Sequence, residues 1–256
     1  MTTTTVAGHA PATPLQRILN VVRLHFTNPW TTIVLPWMIL GIIFVASLAV
    51  WWIIFANLPS DADRADAADG LQYSGGINYI FVYMMVVAIQ AISITFPFAQ
   101  GYGVTRRDYY LGSSLAFVLL AAMYSIGLTI LSLIEELTHG WGFGGQMFTP
   151  VYFGDNWMQR LFVFFVTFLF FFFVGAAIAT VWVRWKATGV TAFFIVLGVI
   201  LIGAAALLTF TSSWAVIGNF FAGAGLLGSF AWSLVLTAIA AITGFFVLRR
   251  ATPRAA

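Results

Sequence analysis

LFVFFVTFLFFFFVGAAIATVWV (161–183), RWKATG (184–189) and VTAFFIVLGVILIGAAALLTF (190–210) follow one another without interruption, and their reading decides the fold. A helix that crosses a bilayer needs about 20 consecutive apolar residues. Each long run meets that length. The link between them holds Arg184 and Lys186 and is too short for anything but a reversal. Two adjacent spans therefore form an antiparallel hairpin, and the solvent for this chain is lipid.

The rest of the sequence agrees. Of 256 residues, 61% are hydrophobic and 7% charged, against about 45–50% and about 25% in soluble domains. Further apolar runs at 32–55, 77–98, 110–134 and 228–248 bring the expected spans to six. The first is longer than the apolar core of a cleaved signal peptide. A net charge of +3, scattered along the chain, excludes a nucleic-acid partner. With no cysteine, disulfides, thiolate metal sites and cysteine nucleophiles are excluded too.

Charge placement sets the expected orientation. Arg17, Arg23, Arg106, Arg107, Arg184, Lys186, Arg249, Arg250 and Arg254 all fall on one side of a six-span chain. The positive-inside rule makes that side cytoplasmic and puts both termini there, in a cytoplasmic membrane. The opposite side holds Arg64 and Arg160 together with Asp61, Asp63, Asp66, Asp69, Glu135, Glu136 and Asp155.

Two segments are of another kind. TPLQRILNVVRLHFTN (13–28) places Leu15, Ile18, Leu19, Val22 and Phe26 on one helical face, with Arg17 and Arg23 on the polar one. Thr13 suits the cap, Pro14 the first helical position, and Asn28-Pro29 a stop. This is an amphipathic interfacial helix. Residues 211–227, TSSWAVIGNFFAGAGLL, are apolar but interrupted by glycines and too short to cross twice. They predict an outer re-entrant hairpin between spans five and six, with its irregular backbone buried in protein. The expected fold class is thus all-α integral membrane: a flexible tail (1–12) and one transmembrane domain (13–256).

Catalytic chemistry is sparse. No span has an ionisable residue at its middle, which argues against an ion-coupled carrier. Lys186, the single lysine, lies in VRWKATG, which is no phosphate-binding loop, so no cofactor is expected on this chain. EELTHG (135–140) gathers Glu135, Glu136 and His139, but Glu135 and His139 lack a third metal ligand at helical spacing. A structural role follows, with the acids hydrating a helix end. Among neutral polar residues in the spans, Gln90 asks for a partner across a helix interface or for a place on a substrate path. Thr95 and Thr129 are candidates for the same path. The eight phenylalanines of 161–183 are expected to face lipid, and Gly175 with its neighbouring alanines to admit another helix.

GVTRRDYYLG (103–112) remains. Thr105 and Asp108 match a capping box, so a helix should begin there with Asp108 at its positive end. The order of parts (interfacial helix, two spans, this polar stretch, three spans, an outer hairpin, a last span) resembles the permease subunit of ABC-2-type transporters. Residues 13–28 are similar to that family's N-terminal connecting helix. Residues 103–112 are similar to its serine-arginine-arginine-aromatic stretch, with Thr105 where serine is common. The resemblance implies an ABC exporter permease paired with a second permease chain, identical or paralogous. It also implies separate ATPase subunits that carry ATP and Mg. It implies a coupling role for Thr105, Arg106, Arg107, Asp108, Tyr109 and Tyr110, the tyrosines filling a pocket on the ATPase. The competing reading is that Arg106 and Arg107 serve orientation and anionic headgroups alone. For the whole chain it is a polytopic scaffold or assembly factor without transport.

Overall fold

The computed structural model describes residues 13–250, and among them there is no strand. The expected flexible tail (1–12) and Arg254 lie outside the described residues. Helix α1 (Pro14–Phe26) is followed by α2 (Trp30–Asn57), α3 (Asp61–Leu71), α4 (Asn78–Gly101), α5 (Arg106–Leu137), α6 (Trp157–Phe210) and α7 (Trp214–Arg250). Five of these, α2 and α4 to α7, are long and apolar enough to cross a membrane. The chain is a multi-pass membrane protein.

Two of the five are not straight. Helix α6 has 54 residues and would run about 80 Å at ~1.5 Å per residue, far more than the ~30 Å of a bilayer core. It breaks at Lys186, where φ is 56° and ψ −151°. The chain folds back there: a Cβ built on Gly189 would lie 3.5 Å from Val181 Cγ1. Helix α7 breaks at Gly225, with φ 65° and ψ −176°. Ser229 Oγ then donates to the Phe221 carbonyl at 3.3 Å, and the Phe220 and Trp232 rings meet at 5.6 Å. No straight helix brings residues 8 or 12 apart into such contact.

The core lies between α4, α5 and the first arm of α6. Phe164, Phe168 and Phe172, spaced by four, are fully buried, against Phe81 of α4 and Tyr124 and Phe117 of α5. This corrects the expected lipid-facing role of the phenylalanine run: one face of it is the centre of the protein. Lipid is as apolar as these rings, so what holds them is dispersion and ring geometry rather than escape from water. Gly175 does admit a neighbour, since a Cβ there would come within 2.6 Å of the Met85 carbonyl oxygen of α4. The second arm of α6 is the opposite case, with Ile195, Val199, Ile202 and Phe210 all exposed.

Candidate functional site

The positively charged end of α5 is built from local signals. Helix α4 ends in a Schellman turn, with Gly103 at φ 80° and the Val104 amide donating to the Ala99 carbonyl at 3.2 Å. Thr105 then caps α5, its hydroxyl accepting from the Asp108 amide at 3.1 Å. Four residues separate the two helices. No independent docking helix exists here; 103–112 is a tight turn and the first turns of a 32-residue helix.

Around this start three elements are bolted together. The carboxylate of Asp108, buried, pairs with Arg17 Nε of α1 at 3.3 Å. Arg106 Nη1 donates to the Arg249 carbonyl at the end of α7, at 3.2 Å. One turn further in, α1 crosses α5 at Gly112, where a Cβ would fall 2.5 Å from Val21 Cβ and 2.8 Å from the Ile18 carbonyl oxygen. His25 Nε2 and Ser113 Oγ are hydrogen-bonded at 2.8 Å, and burial lowers the His25 pKa to about 4. Helix α1 is therefore docked on protein through Val21 and Val22, while Leu15 and Leu19 stay exposed for the bilayer. Arg107 is exposed, and so is Arg23 on the outer face of α1.

Tyr109 and Tyr110, expected to anchor a partner, are buried inside the chain instead. Tyr110 donates to the Ala241 carbonyl of α7 at 2.7 Å, and Gly244 leaves room for its ring. Tyr109 donates to the Ala91 carbonyl at 2.5 Å. The reason lies in α4, which widens into a π turn over Ala91–Thr95; a second π turn, Trp30–Val34, opens α2. Such turns are frequent at functional sites and leave carbonyls poorly served by their own helix. Tyrosines serve them here: Tyr124 donates to the Thr32 carbonyl at 2.6 Å and Tyr83 to the Thr31 carbonyl at 3.1 Å.

The two π turns face each other across a cleft of about 230 Å³, which is closed at one end by α1. Its lining includes His25, Asn28, Thr31, Thr32, Gln90 and Thr95. Gln90 is exposed, and among the described residues its amide has no hydrogen-bonding partner, so within this chain it bridges no described helices. Thr129, proposed for the same path, is buried elsewhere, with its hydroxyl donating back to the Ser125 carbonyl at 2.7 Å. The structure brings Gln90 and Thr95 together and leaves Thr129 out.

At the far end of α5 Glu135 does not hydrate a helix end, whereas Glu136 is exposed there. Glu135 is buried and accepts from Trp141 Nε1, from the amides of Met147, Phe148 and Thr149, and from the Thr149 hydroxyl, at 2.6–3.2 Å. Its neighbour Glu136 pairs with buried Arg160. His139 turns the corner with φ 51°. Among the described residues no three acidic or histidine side chains converge as a metal site.

Reading the sequence missed Ser113, Gly112 and the cage around Glu135. Gly112 had a signal, a glycine two helical turns beyond the cap, but nothing in the sequence names Val21 as what it meets. Compared with family models, with curated proteins and with solved structures, the chain matches none.

Proposed function

We propose that this chain is the membrane permease subunit of an ATP-driven ABC exporter, moving a lipophilic or amphiphilic substrate and coupled to a separate ATPase chain that holds ATP and Mg. The reading takes the two arms of α6 as two spans and the first arm of α7 (214–224) as the outer re-entrant segment, which makes six spans. It places both termini, Arg107 and the Lys186 bend in the cytoplasm of a cell whose inner membrane the chain crosses.

The observation that carries it is the three-way junction at the start of α5. A push on this turn acts at once on α1 through Gly112 packed against Val21 and through the Ser113–His25 bond, and on α7 through Arg106 and Tyr110. An ATPase closing beneath it could thus rock the helices as one body and alternate access between the faces. Because Tyr109 and Tyr110 point inward, the surface offered to the ATPase is Arg107 with Tyr102, which is 77% exposed. The exposed second arm of α6 leaves room for a second permease chain, identical or paralogous.

Affinity purification from mild detergent tests the reading. A soluble chain with a phosphate-binding loop should come down in stoichiometric amount, and Arg107→Glu with Tyr102→Ala should lose it. Recovery of membrane proteins alone would favour the scaffold reading.

A further inference from the structure

Helix α4 presents one face to the bilayer. Val82, Val86, Ile94 and Phe98 recur on it at four-residue spacing, and all are exposed. Gln90 stands in the middle of that row, also exposed. A lipid-facing amide with no partner costs free energy in hydrocarbon, because nothing there accepts its N–H or donates to its carbonyl. Something must satisfy it.

The cleft beside it shows what. From Thr95 to Gln90 is one and a half helical turns, about 8 Å at ~1.5 Å per residue, and Asn28 and His25 of the interfacial region continue the polar wall. Uncharged hydrogen-bonding groups therefore run from the membrane surface at α1 toward mid-span. Among the described residues the Gln90 amide and the Thr31 hydroxyl have no partner, and Asn28 Nδ2 makes no bond of its own; each can donate, and the first two can also accept. No Lys, Arg, Asp or Glu lines the cleft, and His25 is spent on Ser113. A phosphate would find no counter-charge. A hydroxyl-rich group would find donors and acceptors in mixture. The volume, about 230 Å³, has room for water, and a polar ring could displace it. The apolar row on either side of Gln90 would carry the tails.

We infer that the cleft between α1 and the two π turns binds the uncharged, hydroxyl-rich headgroup of a membrane lipid, with Gln90 as its chief hydrogen-bonding residue. The site deepens the exporter reading and rests on it only for the direction in which the lipid then moves.

The test is photolabelling of the full chain in phosphatidylcholine nanodiscs, solubilised without glycoside detergents, which would fill the cleft. Two probes carry the same diazirine near the headgroup: a monoglucosyl diacylglycerol and a phosphatidylglycerol. The glucosyl probe should label residues 24–32 and 87–95, several-fold more than the anionic one. Gln90→Leu should lower that labelling about fivefold, the worth of one lost hydrogen bond, and Thr31→Val should lower it less. Thr129→Val, at a hydroxyl away from the cleft, should leave it unchanged. Equal labelling by both probes, or full labelling of Gln90→Leu, overturns the proposal. Free glucose at the probe's concentration should not compete; if it does, the occupant is a soluble sugar and the membrane source is wrong. No ATP or partner chain enters this experiment. A chain that binds the glucosyl probe but recovers no ATPase would keep the site and lose the exporter.

Discussion

The two ends of α5 each carry a buried carboxylate, and they are held very differently. Asp108 has one charged partner, Arg17, whose side chain is 48% exposed. Glu135 has five donors, the Trp141 indole six residues on and four from a loop that comes back 12 to 14 residues later. A contact made of a single half-wet ion pair is weak and breaks easily. A carboxylate that satisfies three backbone amides, an indole and a hydroxyl is the fold of its loop. One end is fit to move against its neighbours, the other to stay.

The largest effect should therefore come from the Glu135 end. Glu135→Ala leaves buried amides at Met147, Phe148 and Thr149 without acceptors, each worth about 1–3 kcal/mol. We expect loss of the monodisperse folded protein. Glu135→Gln, which keeps an acceptor oxygen, should fold with a lowered melting temperature in detergent. If Glu135→Ala melts like the parent, the cage is incidental and the contrast fails.

The second effect concerns the packing beneath Asp108. Gly112→Val places a side chain where Val21 and the Ile18 carbonyl already stand, an overpacking typically costing about 1–3 kcal/mol. Helix α1 should lift while α5 stays intact. Since the native chain has no cysteine, a single cysteine at Val22 reports this directly. It should be protected in the parent and reactive in Gly112→Val.

How much of this was legible depends on reach. Caps act over three or four residues, so Thr13 and Thr105 could be read from the sequence. Charge placement was likewise readable because each loop reports independently. Packing faces were not. The first arm of α6 is apolar all round, and periodicity cannot tell Phe164 and Phe168, which are buried, from Phe165 and Phe171, which are half-buried. Tyr109 and Tyr110 misled for a related reason: an aromatic near a charged turn reads as a surface anchor, and only the π turn of α4 and the path of α7 supply the carbonyls that draw them in. Gln90 was legible as a problem, and the cleft that answers it was not.

The third effect should be reversible and should appear only at the mobile end. His25 titrates near 6.5 when free and about 4 when α1 is docked, because burial disfavours its charged form. As pH falls from 6.5 toward 4 the undocked state takes up a proton that the docked state refuses, so docking weakens with acidification and is fully present above that window. The other titratable groups on this contact are Arg17, Asp108 and Tyr109, and the last two are not cationic. Proteolysis or hydrogen exchange of residues 14–26 should accelerate across the window. His25→Gln, which can still bond Ser113, should flatten that dependence.

The smallest effect is the ion pair itself. Arg17→Gln removes the charge partner of Asp108 but leaves Val21, Gly112 and the His25–Ser113 bond in place, and exposed pairs are worth about 0–1 kcal/mol. Its consequence for stability should lie near the limit of measurement and vanish in high salt, where the parent's own pair is screened. Asp108→Asn should cost slightly more, because the carboxylate also sits in the first turn of α5 and favours the helix's positive end. In a double-mutant cycle the coupling between Arg17 and Asp108 should be under about 1 kcal/mol at low salt. A coupling of several kcal/mol would show that this end is held as firmly as the Glu135 end. The contrast between the two ends of α5 would then be gone.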